Sequence, residues 1–357
     1  MSLLSRPGLV LVEVAISAGV VAYVFRGIWL PVGISIAVIA LALALVPIHG
    51  RPLHKVLASW IAVRARRGRL RGPGVAAIVG ADYDVVAVPT AGALPIGAIR
   101  DATTWAVPLS LPLNHLSNDD APIPLDRLAT LLMVEDVPLA SVRLVTMLSP
   151  GNNHSAATGP VPPLPRLATR HLVLTLDTIH ASDAIVGRGG QAGIPQILRR
   201  CVMRAEEVLA SSGIEVRRLP DRVVAIDSAS ALGPMSVPAE GNTPQAIESL
   251  ATVTIQDVVS STWLVSGADA LARLDQLAAA LAVPIVATSV VLEPGPRQRD
   301  PHLTLLLRMS GSAAQIRSAG ADLARTSRAM DLRVRHLPGE QVPSLRATTL
   351  VGVGSTP

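Results

Sequence analysis

One cysteine, Cys201, stands in the whole chain. An intrachain disulfide and a multi-cysteine metal site are therefore excluded, and a reducing compartment fits. Aromatic residues make up only 2% of the sequence, so any core must be built from Leu, Val, Ile and Ala. Trp60, Tyr83, Trp105 and Trp263 are scattered, whereas a nucleic-acid stacking platform needs clustered rings; no nucleic-acid partner is expected. Catalytic signatures are missing too. There is no Gly-x-Ser-x-Gly elbow and no zinc-protease motif, and His49, His54, His115, His154, His171, His180, His302 and His336 include no pair at metal-ligand helical spacing. Neither a metal nor a cofactor is expected.

Charge is nearly absent from the first fifty residues, and that stretch organises the rest. Gly8–Phe25 is apolar apart from Glu13 and ends at Arg26, and Ile28–Ile48 carries no charge. Roughly 20 apolar residues at ~1.5 Å rise each cross a hydrocarbon core ~30 Å thick. The two stretches are expected to form a transmembrane hairpin, with Trp29, beside Tyr23 and Phe25, in an interfacial belt. The rival is a cleaved signal peptide followed by one anchor, but Arg6 is a thin basic start and no convincing small-x-small cleavage site precedes Arg26. Glu13 in a span costs about 2.5–3.5 kcal/mol at the centre and less near an edge. It is expected to face headgroups, water or a partner helix.

The chain's excess of +5 gathers just beyond the apolar pair, in Arg51, Lys55, Arg64, Arg66, Arg67, Arg69 and Arg71. Basic residues stay on the cytoplasmic side, so an inner-membrane, multi-pass placement with both termini and the main domain cytoplasmic is expected. Leu53, Val56, Leu57, Trp60 and Ile61 share one helical face and predict an amphipathic helix that lies on headgroups, packs on a partner, or continues out of the membrane. Arg71-Gly72-Pro73-Gly74 ends it.

Beyond that boundary the pattern predicts short strands at Asp84–Val88, Leu94–Ile99 and Thr104–Leu109. Two similar runs follow. In the first, helix Leu125–Glu135 precedes strands Ser141–Leu148 and His171–Asp177, helix Ile194–Ser211 and strand Ile214–Leu219. In the second, helix Ala268–Leu281 precedes strands Pro284–Leu292 and His302–Met309, helix Ala313–Met330 and strand Leu332–Leu337. His171–Leu176 matches His302–Leu307, and Glu215–Pro220 matches Arg333–Pro338. The expected fold is a membrane-anchored α/β protein (α+β possible) whose cytoplasmic part holds two related helix-strand-strand-helix-strand modules. The expected segments are a hairpin at 1–50, a basic helix and linker at 51–74, strands and linker at 75–124, the first module at 125–226, a linker at 227–252, and the second module with a closing segment at 253–357.

Candidate chemistry is sparse. Gly187–Gly193, between a strand and a helix, invites a phosphate-loop reading, yet it lacks Gly-Lys-Ser/Thr and the dinucleotide spacing. A flexible helix entry is the expectation. Asp119-Asp120 reads as a solvated turn, and Asp177 stands at a strand end with no visible partner.

The order of parts resembles the EccE family, a membrane component of the type VII (ESX) secretion system of mycobacteria and other actinobacteria. The resemblance is carried by two adjacent apolar segments, the basic run Arg64–Arg71, Leu174–Asp177 before Gly189-Gly190, a helix Arg199–Leu209 ending in Ser-Gly-Ile, and a closing Leu337–Val351 with Gly339-Glu340-Gln341. The Ala/Pro-rich Ala87–Pro95 departs from it. The resemblance implies a non-enzymatic subunit that braces the periphery of the secretion complex. Its partners would be EccB, EccD, the ATPase EccC and the lipid bilayer, and Glu13, Trp29, Trp60, Arg64, Arg66, Arg67, Arg69 and Arg71 are the candidate interaction residues. The alternatives are a membrane-tethered glycosyltransferase using Asp177, Asp119 and Asp120 on a lipid-linked acceptor, and a lipid-sensing module built on the basic run.

Overall fold

A computed structural model describes residues 6–24, 29–45, 47–48, 51–67, 78, 82–90, 95–112, 123–150, 166–232, 246–295 and 300–351. The chain divides into two units: the N-terminal helices with Pro338–Glu340, and the remainder from Gly68.

The N-terminal unit holds α1 (Arg6–Val24), α2 (Trp29–Leu45) and α3 (Leu53–Arg67). Two short strands, β1 (Pro47–Ile48) and β2 (Arg51–Pro52), pair between α2 and α3. This corrects the expected spans, because among the described residues no helix is long and apolar enough to cross a membrane. The uncharged run Ile28–Ile48 is not all helix. Pro47 has no amide hydrogen to continue the ladder, and Pro47–Ile48 turns into β1 instead. The 17 residues of α2 reach only about 26 Å. The 19-residue α1 opens on Arg6-Pro7 and carries Glu13. The multi-pass inner-membrane placement, and the orientation built on it, fall with the spans.

The second unit corrects the fold class. Instead of an α/β body, the described residues form an α+β fold around a single 12-stranded sheet in which every pairing is antiparallel. Its strands are β3 (Asp84–Val88), β4 (Ile96–Asp101), β5 (Thr104–Leu111), β8 (Ser141–Pro150), β9 (Arg166–Asp177), β10 (Arg217–Arg218), β11 (Ala246–Glu248), β12 (Val253–Ile255), β13 (Val258–Ser266), β14 (Ile285–Glu293), β15 (His302–Gly311) and β16 (Arg333–His336). A small hairpin of β6 (Met133–Val134) and β7 (Val137–Pro138) lies apart.

The order β11-β12-β13-β15-β14-β8-β9-β5-β4-β3, with β16 on β13 and β10 on β5, reads alike from either end. Outward from the central β14–β8 pair, each side passes through its hairpin partner, an earlier strand and then two short strands. The tryptophans mark the correspondence. Counted from His171 and His302, the same position, Leu176 or Leu307, lies opposite Trp105 or Trp263. The two repeats are thus halves of one sheet.

Alternation along the strands gives the sheet two different faces. On one, Leu172, Leu174 and Leu176 join Ile197, Val202 and Leu209 of helix Ile194–Ala210. Leu305, Leu307 and Met309 join Leu274 and Leu323 of helices Ala270–Ala279 and Ala313–Ala329 on the same face. Ser312 and Gln315 form a capping box on the last of these, worth about 1 kcal/mol.

The other face is more polar and is covered by helices Asp221–Ser230 and Gln341–Ala347. Gly97 lets the first approach, since a Cβ there would stand 2.7 Å from Val224 and 2.8 Å from the Asp221 backbone. Gln341 is buried; its carbonyl oxygen accepts from the Thr262 amide at 2.9 Å and its amide donates to the Leu337 carbonyl at 2.7 Å. Two fully buried arginines cross the sheet's midline in opposite directions. Arg143 of β8 donates to the carbonyls of Arg346, Ala347, Thr349 and Val351, at 2.6–3.2 Å, capping the last helix. Arg308 of β15 donates to the Ala231 carbonyl at the end of helix Asp221–Ser230. Burial pushes both guanidinium groups down, Arg143 to about 9 with help from the nearby Arg346 charge, and Arg308 to about 10.

These two arginines are not equivalent. Arg143→Met takes the donor from the carbonyls of Ala347, Thr349 and Val351, while the Arg346 carbonyl keeps Thr349, and is expected to cost about 3 kcal/mol, read from the urea midpoint. Arg308→Met removes a desolvated charge with a single carbonyl acceptor and is expected to stay within about 1 kcal/mol of wild type.

Candidate functional site

The most unusual surface belongs to the N-terminal unit. α1 and α2 pack against each other and still present large apolar side chains outward around their circumference: Ile16 is 62% exposed, Val20 58%, Tyr23 70%, Val38 61% and Ile39 60%. A helix that is apolar all round is ordinarily buried, and isolated soluble chains seldom show contiguous apolar patches of this extent. Between the two helices runs a groove of about 520 Å³ with Glu13 on its wall.

The other candidate interaction residues divide. Trp29 is the first residue of α2. Trp60 is half exposed on α3, with the Arg64 guanidinium 5.5 Å from its ring centroid, a cation–π contact. Leu57 and Ile61 of the expected apolar face are exposed beside it. Arg66 and Arg67 close α3. Arg69 and Arg71 lie outside the described residues. α3 therefore brings Trp60, Arg64 and Arg66 onto one helix, and Glu13 sits apart in the α1–α2 groove.

In the second unit the catalytic candidates do not converge. Asp177 is buried at the end of β9, where its carboxylate accepts from the Ile179 amide at 2.9 Å and meets His180 Nδ1 at 3.1 Å. These contacts fasten a turn. Asp119 and Asp120 fall outside the described residues. Among the described residues no group of three His, Cys, Asp or Glu side chains is placed to hold a metal. His171 is buried 3.4 Å from Asp227, whereas His302 is exposed beside Thr304.

The glycine-rich stretch closes on its own chain. The amides of Gly187, Arg188 and Gly189 donate to the carbonyls of Asp183, Ile185 and Val186, and a Cβ at Gly193 would stand 2.3 Å from the Arg188 carbonyl oxygen. The turn's first amides are thus spent internally rather than offered to an anion. Beside it lies a cleft of about 720 Å³ lined by Tyr83, Asp84, Arg100, Trp105 and Gln191. Its cation is already matched, because Arg100 binds Asp84 at 3.0 Å. Burial pushes the Tyr83 phenol up, with Ser228 opposing and Asp84 adding to the rise.

Sequence reading missed a second groove, of about 520 Å³, between the β6–β7 hairpin and helix Ile194–Ala210. Met133 and Met203 are exposed along it, with Glu135, Arg200 and Glu207 on its rim. The available signal was Glu135-Asp136, a polar pair that interrupts the expected helix Leu125–Glu135. Arg188 binds both carboxylates and holds Asp136 below the usual carboxylate range, chiefly through their hydrogen bond. That fixed loop ends the helical stretch at Leu132.

Beneath this groove, burial and the Glu135 charge push the Cys201 thiol up to about 12. Iodoacetamide at pH 8 is expected to leave Cys201 unlabelled in the folded protein and to alkylate it in urea, as read by intact mass. No family model matches the chain, and no curated protein matches it.

Proposed function

We propose that this chain is a non-catalytic assembly subunit of a type VII secretion complex, held in place by other proteins through its N-terminal helices. One observation carries the reading: α1 and α2 expose apolar side chains on all sides, a surface whose cost in water is removed only when other apolar groups cover it. The resemblance to the EccE family names the candidates for that cover, the subunits EccB, EccC and EccD. α3 extends the surface with Trp60, Leu57 and Ile61 and adds the basic Arg64 and Arg66. The sheet unit gives the subunit a body built on one continuous twelve-stranded sheet. Its polar face is occupied by the chain's own helix Gln341–Ala347, and Asp177 is engaged in a turn.

The test is recovery from cells. The chain is tagged at its C-terminus, extracted in mild detergent, run on a native gel and identified by mass spectrometry. It is expected in a very large complex with an FtsK-like ATPase. Migration alone or as a small homo-oligomer, with no such ATPase, overturns the proposal.

A further inference from the structure

We infer that the α1–α2 groove seats an apolar helix of a partner protein that carries one arginine or lysine at the level of Glu13. The inference rests on the assembly reading above and specifies the chemistry of the partner. Val10, Val14, Ala18, Val32 and Ile36 make the groove apolar, and Glu13 is its one ionisable group. Along the described α1 and α2 the only other charged residue is Arg6. It lies two turns before Glu13, roughly 10 Å along the axis, and α2 offers no cation at all.

A helix laid into the groove strips water from Glu13. An apolar surface that covers a carboxylate without pairing it incurs a desolvation penalty that opposes docking. A cation set opposite the carboxylate turns that penalty into a means of selection, because partners lacking it are rejected. The groove is also shallow in side-chain bulk where Ser17, Ala18 and Gly33 line it, so the incoming backbone can come close enough for a long basic side chain to reach Glu13.

A second copy of this chain does not meet the requirement: its α3 ends in a cluster of cations, Arg64, Arg66 and Arg67, rather than carrying one within an apolar helix, and its α1 and α2 fail in either direction. Packed in parallel, its α1 brings another Glu13 to the first, and its α2 brings no charge. Packed antiparallel, its Arg6 reaches Glu13 only when the helices overlap over their first two turns, which leaves the rest of the apolar surface uncovered. The occupant is therefore a different protein, and its mark is a single basic residue within an apolar helix.

The experiment uses the full chain in mild detergent and three fluorescein-labelled Leu/Ala helices that differ only at their central residue, which is Arg, Met or Glu. Fluorescence anisotropy is expected to show the Arg helix binding about ten-fold more tightly than the Met helix, with the Glu helix weakest. Glu13→Gln is expected to bring the Arg helix down to the affinity of the Met helix, and Glu13→Arg to transfer the preference to the Glu helix. Equal affinities for the three probes, or an Arg preference that survives Glu13→Gln, overturn the inference. Either result with the chain still recovered in the large complex refutes this groove alone. A chain recovered without partners refutes the assembly reading itself.

Discussion

The pairing of β8 with β14 is the contact on which the sheet unit depends. It runs from Val142–Leu292 to Leu148–Val286 and turns two six-strand arrangements into one continuous sheet. Neither half completes its polar face alone. Arg143, from the first half, caps the last helix of the second, and Arg308, from the second, reaches the end of a helix in the first. Such crossed hydrogen bonds make the halves cooperate, because separating them leaves buried donors and acceptors without partners. The symmetry is one of path and not of chemistry, since Arg143 meets four carbonyls and Arg308 one.

Much of the sheet was legible in the sequence. The strands near Ser141, His171, Pro284 and His302, and the helices near Ile194 and Ala313, lie within a few residues of their expected limits, because long aliphatic alternation and 3.6-residue periodicity are strong signals. β11 to β13 were not legible. Val258–Ser266 reads Val-Val-Ser-Ser-Thr-Trp-Leu-Val-Ser, and its hydroxyl residues suggest a loop. In the structure Ser260, Ser261 and Thr262 are all buried, and Ser260 binds Ser310 on the neighbouring strand at 2.8 Å. Polar residues on a strand look like solvent contacts until the other side of the interface is known to be polar as well. Helix Asp221–Ser230 was hidden for a similar reason: its apolar content is low, and its place depends on Gly97, far away in sequence.

The N-terminal region teaches the opposite lesson. Its hydropathy was easy to read, but hydropathy counts residues and takes no account of where the backbone ceases to be helical. Pro47 ends the second apolar run short of a full crossing, and Glu13 interrupts the first. What survives is the apolar character itself, now borne by two helices that expose it. The candidate interaction residues are expected from the sequence to meet a membrane or a partner; in the structure Trp60 and Arg64 form a stacked pair, and Glu13 stands alone in a groove. Its isolation is visible in the sequence, but its place between two helices is not.

The burial of the C-terminal residues also bears on how the protein is made. Leu350 and Val351 are almost wholly enclosed, and the Val351 carbonyl is a ligand of Arg143. During synthesis β8 emerges long before its guanidinium has anything to bind. Until residue 351 has been made, Arg143 lacks the Val351 carbonyl, so the part of the polar face that helix Gln341–Ala347 covers cannot be completed before translation has passed that point.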